Sequence, residues 1–407
     1  MVKKIVRDAM NRRKFVSSLG LLGMGGLLPV PSFARRIDSK AVTSPSAILK
    51  AMPYLQSPMS DRMTVRWITN MPCHSWVEFG ESADTLNRKA ETVDHGLVQA
   101  YNTVHAITLD DLQPGKKYYY RISSKEFSGF EPYKVTFGET VNSEVYSFST
   151  PDTRADEVSF LVFNDIHDRP ESFPHLMQFN NKQQQDFVFL NGDMFNHQTD
   201  ENQIVSHLLE PLSGLFSTTT PFYFSRGNHE TRGKFARQLP EYVNSKEQNF
   251  YFSFQYGPIY AIVLDSGEDK PDNEPVYADL VDFDRYRLQQ AEWLKKEIQK
   301  PAFKKAKYKV VFSHIPLYHS GDWHGTMHCR KVWGPILNDA KIDVLISGHT
   351  HKYGIHQPQQ GEHNYPIVIG GGPKDGARTL ISVKADRKKL ELNMKDDKGV
   401  VVGNLVI

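Results

Sequence analysis

Cysteine is almost missing: Cys73 and Cys329 are the only two in 407 residues. Two thiols cannot build a disulfide framework, and they leave no thiolate cage for a soft metal. They fall in what read as different domains, so a disulfide between them is not expected. Long apolar runs are scarce as well. Past the first 34 residues no stretch stays apolar for the roughly 20 residues that a helix needs to cross a bilayer. Charge of one sign is also lacking, with 49 Lys and Arg against 47 Asp and Glu. Without a polybasic tract, binding to a nucleic-acid scaffold is not expected.

The start of the chain is different. Residues 1–34 carry six Lys and Arg and one Asp, followed by an apolar, glycine-containing core and Ser32-Phe33-Ala34. A basic segment, an apolar core and a small-residue cleavage site make a signal peptide. Arg12-Arg13-Lys14-Phe15 ahead of the core reads as a twin-arginine signal. The expectation is bacterial twin-arginine-type export to the periplasm or medium, with no stable membrane anchor after signal removal. A short anchor that stays attached is the alternative. Removal takes the formal charge from +2 to −3.

What remains is long enough for two domains. Residues 48–150 alternate in short runs: "MTVRW" (63–67), "SWVEF" (75–79), "TVHAITL" (103–109), "YYYRI" (118–122) and "VYSFST" (145–150). Polar turns between such runs predict an all-β sandwich. "LQPGKKYYYRI" resembles the corner of a fibronectin type III domain, where a tyrosine ties back to the preceding loop, and Trp67 is a candidate core residue. Residues 149–157 read as a linker. From 157 to 407, apolar runs alternate with helical patterns, which predicts an α/β domain. In "RYRLQQAEWLKKEI" (285–298), Leu288, Ala291, Leu294 and Ile298 share one helix face. "DSGEDKPDNEPVYADL" (265–280) reads as a loose segment.

Five apolar runs of the second domain each end in Asp, Asn or His. "VSFLVF" leads to Asp165 and His167, "DFVFL" to Asp193, "PFYF" to Asn228, His229 and Glu230, "YKVVF" to His314, and "DVLI" to His349 and His351. Sites of open α/β sheets form at the carboxyl ends of strands. If the last run stays extended, His349 and His351 lie on the same side and face one site. Carboxylate, imidazole and amide oxygen suit manganese, iron or zinc. Two such ions roughly 3.5–4 Å apart can clamp a displacement at phosphorus. Asp193 is the candidate bridge, and the glycines before Asp193, Asn228 and His349 allow sharp turns.

D-x-H, G-D, G-N-H-E, a strand-ending His and G-H-x-H resemble the calcineurin-like metallophosphoesterases. "PYLQSP", "GPIYAIVLDS" and "QQAEWLKKEI" resemble segments of purple acid phosphatases, whose amino-terminal domain is a similar sandwich. The resemblance implies a domain of two β-sheets flanked by helices. It implies one metal held by Asp165, His167, Asp193 and His351, and a second held by Asp193, Asn228, His314 and His349. It also implies a hydroxide between the ions as nucleophile. His229 would stabilise the phosphoryl oxygens or protonate the leaving group, with Glu230 tuning it. Purple acid phosphatases typically have a tyrosine where this chain has Asn196, and D-x-G where it has Asp165-Ile166-His167. A ferric, coloured site is therefore not expected. His319, His324 and His328 are candidates for the substrate pocket, and Tyr318, Trp323 and Tyr353 for stacking on a leaving group.

The expected function is hydrolysis of a phosphorylated small molecule, with phosphomonoesterase favoured. A phosphodiesterase or nucleotide hydrolase could use the same cage. A non-catalytic surface-binding protein with a relic site is the rival of a different class.

Overall fold

The computed structural model describes residues 48–407, apart from residue 182 and residues 244–248. The export segment expected at residues 1–34 lies outside the described residues. Among the described residues no helix is long and apolar enough to cross a membrane.

Apolar runs become nearly continuously buried strands because both of their faces are covered. Glu157–Phe163, Phe187–Asn191 and Phe222–Ser225 are parallel neighbours in one sheet. Ile259–Leu264, Tyr308–Ser313 and Val344–Ser347 are parallel neighbours in a second. Alternation divides each strand between two cores. Phe160, Val162, Phe187 and Phe189 face the second sheet, where Phe189 stacks on Phe312 with centroids 3.8 Å apart. Leu161, Phe163, Val188 and Leu190 face Phe173, Leu208 and Leu212 on the other side. Beyond the second sheet, Ile262, Val311 and Leu345 pack on Leu294, Trp333 and Leu337. The order is helices, sheet, sheet, helices, and the parallel strands end together at one rim.

The amino-terminal region is all β and has its own core around the fully buried Trp67, whose Nε1 donates to Ser124 Oγ. The expected corner is present: Gln113 N donates to Tyr118 Oη across 3.0 Å. This region is joined to the first sheet. Gln56 of the strand Leu49–Met59 pairs in parallel with Phe222, making the 13-stranded sheet continuous. Both cysteines are buried and free.

Three local expectations need correction. "MTVRW" and "SWVEF" are not two strands but halves of one, Arg62–Gly80. Its pairing with Asn102–Leu109 breaks register between Ile68 and Cys73, a bulge that lets the strand serve different neighbours in its two halves. In the helix Phe283–Glu297, Leu288 is 50% exposed while Arg287 and Gln290 are buried. The inward face carries polar residues beside Ala291 and Leu294 because Arg287 donates to Ser266 O and Gln290 to Asp265 O. For the same reason 265–280 is not loose at its start: Asp265, Ser266 and Glu268 are buried acceptors for these and other side chains.

Candidate metal centre

The five strand ends meet at the shared rim. Two groups of donor atoms form there, Asp165, His167, Asp193 and His351, and Asp193, His314 and His349, with Asp193 common to both. His351 Nε2 lies 3.1 Å from His167 Nε2 and 3.3 Å from Asp165 Oδ1. Asp193 Oδ2 lies 3.4 Å from His167 Nε2 and 3.0 Å from His314 Nε2. Asn228 Oδ1 is 3.1 Å from His349 Nδ1, which adds it to the second group. All seven residues expected as ligands are thus brought together.

The backbone reaches this arrangement by an unexpected route. The last strand stops at Ser347, so pleat alternation does not align His349 and His351. Both have left-handed backbones, φ 71° and 58°, and they diverge: His349 joins the second group and His351 the first. Asp165, His167 and Asp193 are also left-handed, at φ 54°, 50° and 56°. Such strain in residues other than glycine collects at functional sites. Of the three glycines, only Gly192 turns at positive φ (81°). Gly227 and Gly348 are needed for close approach: an added Cβ would sit 2.2 Å from Asp193 Oδ1 and 2.3 Å from Asp165 Oδ2.

Surrounding bonds orient the donors. His314 Nδ1 donates to Asn191 O across 2.8 Å, leaving Nε2 for the centre. His167 Nδ1 lies 3.2 Å from Asn196 Oδ1, so the residue in the place of the expected tyrosine steadies a histidine. Asn164 Nδ2 and His349 N donate to Asp165 Oδ2, at 2.7 and 2.9 Å, which aims Oδ1 at His351.

The electrostatics suit cations. Burial disfavours charge on Asp193, yet the His314 charge and hydrogen bond outweigh it and hold the carboxyl at about 2. Burial would likewise lower His314, but Asp193 and Asp165 draw its pKa up to about 10. Carboxylates that pull a proton this strongly onto imidazole attract a divalent ion in the same way, and a bound ion displaces that proton. His314 Nε2 is buried and lies 3.0 Å from Asp193 Oδ2, where a metal ion would take the place of the shared proton. Carboxylate, imidazole and amide oxygen fit divalent transition metals.

Glu230 is placed otherwise than expected. Its buried carboxylate accepts from the backbone N–H groups of Asp193, Met194, Phe195 and Gly227, at 2.7 to 3.2 Å. It clamps two site loops together and is not bonded to the His229 ring. That ring donates from Nδ1 to Asn196 O across 2.7 Å, and Nε2 accepts from Arg232 at 3.1 Å. Arg232 was not singled out from the sequence. Of the pocket candidates, His319 and Trp323 line a groove of ≈ 360 Å³ beside His349, with Lys352. His324 and His328 instead approach Asp284. Tyr318 is buried, and Tyr353 is 40% exposed.

The calcineurin-like phosphoesterase family matches residues 158–353, and the purple acid phosphatase amino-terminal domain matches residues 52–150. The chain carries a calcineurin-like phosphoesterase domain behind a purple acid phosphatase amino-terminal domain. By this phosphoesterase domain and the acid phosphatases that share the pairing, the chain is a metal-dependent phosphoric ester hydrolase. Purple acid phosphatase 21 of Arabidopsis thaliana is 24% identical over 78% of this chain and 70% of its own length. Acid phosphatase type 7 of Homo sapiens is 26% identical over 76% and 70%. In fold, the purple acid phosphatase from yellow lupin seeds matches with a TM-score of 0.65 at 16% identity, covering 87% of this chain and 73% of that one.

Proposed function

We propose that this metallophosphoesterase is an exported phosphomonoesterase with two metal ions sharing Asp193. The observation that carries the reading is the convergence of His167 and His314, from separate strand ends, on one oxygen of Asp193. Asp165, His167, Asp193 and His351 would hold one ion, and Asp193, Asn228, His314 and His349 the other. Manganese, iron or zinc would fit these donors. The ions would supply Lewis acidity and lower the pKa of water to near neutrality.

The chain's own residues would bind and orient the phosphate. Arg232 Nη1 donates to His229 Nε2 and would place a positive charge beside a bound phosphate. His229 commits its Nδ1 proton to Asn196 O, which favours positioning of phosphate over protonation of the leaving group. The aromatic face of Trp323, 52% exposed in the groove, and Lys352 favour a leaving group with a ring or an anionic arm. That groove supports nucleotide or diester hydrolysis as the second reading.

Metal analysis of the full chain, with hydrolysis of para-nitrophenyl phosphate and its bis-ester, tests this. About two ions per chain, faster monoester turnover and loss in chelator are expected. A metal-free chain inactive after added manganese, iron or zinc would support the relic reading instead. Export is tested by replacing Arg12 and Arg13 with Lys and fractionating cells; unchanged export would sink the twin-arginine route.

A further inference from the structure

A further set of donor atoms converges among the described residues, on Asp284, His324 and His328. His324 and His328 stand four residues apart on the helix His324–Ala340, on one face. Asp284 comes from the first turn of the helix Phe283–Glu297. His324 Nε2 lies 2.9 Å from both oxygens of Asp284. His328 Nδ1 lies 2.7 Å from Asp284 Oδ1. His314 Nε2 stands in the same relation to Asp193 Oδ2, at 3.0 Å. A ring nitrogen and a carboxylate oxygen this close need positive charge between them, either a proton or a metal ion. At both places a divalent cation can take the place of that proton.

We propose that Asp284, His324 and His328 form a third metal site, separate from the centre on Asp193, that takes a borderline divalent cation such as zinc. Two imidazoles and one carboxylate are a zinc donor set, and a water can complete four-coordination. The open side exists, since the His324 and Asp284 side chains are each 39% exposed. Arg287 donates to Asp284 Oδ1 across 2.8 Å and fixes the carboxylate from behind. Its charge offsets that of Asp284, which selects against hard cations such as calcium and leaves imidazole nitrogen as the attraction. Both helix N-termini oppose a cation, but by under about 1 kcal/mol each at a surface.

The proposal does not rest on the phosphatase reading. The untagged full chain is stripped with chelator, reloaded with zinc, desalted and its metal counted, beside His328→Ala and His324→Ala. Each variant should hold about one ion fewer than the parent, whatever the parent's total. Equal counts would overturn the proposal, and so would loss of two or more ions, which would make the site part of the Asp193 centre. Should His328→Ala fail to fold, the half-exposed His324→Ala carries the same expectation.

Discussion

Arg232 donates to His229 Nε2 across 3.1 Å while Glu268 grips the same guanidinium from the other side, at 2.7 and 2.9 Å. Glu268 is buried, so the arginine is held in one orientation. A planar fork can make both contacts together; an ammonium cannot. Arg232→Lys should therefore lose most of what Arg232→Ala loses. A fall in kcat/KM of about 10–100-fold is expected for either, or about 1.4–2.7 kcal/mol, with metal content kept. Full activity in the lysine variant would show that charge alone suffices.

Glu230 is the second case of a residue serving the site without facing it. Burial and the Asp193 charge push its pKa up to about 7, against the pull of backbone N–H groups on Asp193 and Gly227. Glu230→Gln keeps the shape but turns an amide NH2 toward N–H donors. Leaving such groups unsatisfied costs about 1–3 kcal/mol. The variant should melt at a lower temperature and retain less metal than the parent after desalting. A variant with the parent's melting point and metal content would contradict the clamp.

The strand-end donors were legible in the sequence because each lies just past an apolar run, and strand ends gather on one rim whatever the loops do. The roles of Glu230 and Arg232 were not, since they depend on where loop backbones cross. Leu288 misled because periodicity cannot see that buried carbonyls at Ser266 and Glu268 would draw Arg287 inward.

A legible signal that was passed over is Gly370-Gly371-Gly372. An added Cβ at Gly372 would sit 2.5 Å from the Cβ of His351. Gly372→Ala should displace His351 and weaken one metal position while the fold holds. Metal analysis should then read a loss of up to one ion, with circular dichroism unchanged. Undiminished metal would mean that the loop gives way instead.

The loop after those glycines is anchored by Arg378, which donates to Asp397 at 2.6 and 3.2 Å, with Gly376 N at 2.6 Å. Burial alone would raise the Asp397 pKa, but the Arg378 bond and the Gly376 N–H outweigh it and hold it below its ordinary value. A carboxyl depressed in the folded state contributes stability above its unfolded pKa of about 3.9 and loses it as pH falls through the folded value. Asp397→Asn should lower stability near neutrality and flatten its acid fall below about pH 4. Urea midpoints across that range are the measurement, and parallel curves for the two proteins would remove the linkage.

The amino-terminal region covers an edge that the phosphoesterase sheet would otherwise expose. Tyr54 is fully buried, with its ring 6.1 Å from Phe222 and its hydroxyl on Tyr242 O at 2.8 Å. Gln56 Nε2 donates to Val243 O, and Tyr120 Oη to Thr218 O. An uncovered apolar edge strand is a template for aggregation. A chain beginning at residue 151 should therefore aggregate or elute as large species in size-exclusion chromatography, even though all seven expected ligands are retained. In the full chain Tyr54→Phe removes one buried hydrogen bond and should cost about 1 kcal/mol, and Tyr54→Ala about 3–5. A soluble, monomeric, metal-loaded 151–407 fragment would show that the sandwich is dispensable for the fold, and its retention would then have to be explained by contact with substrate or surface.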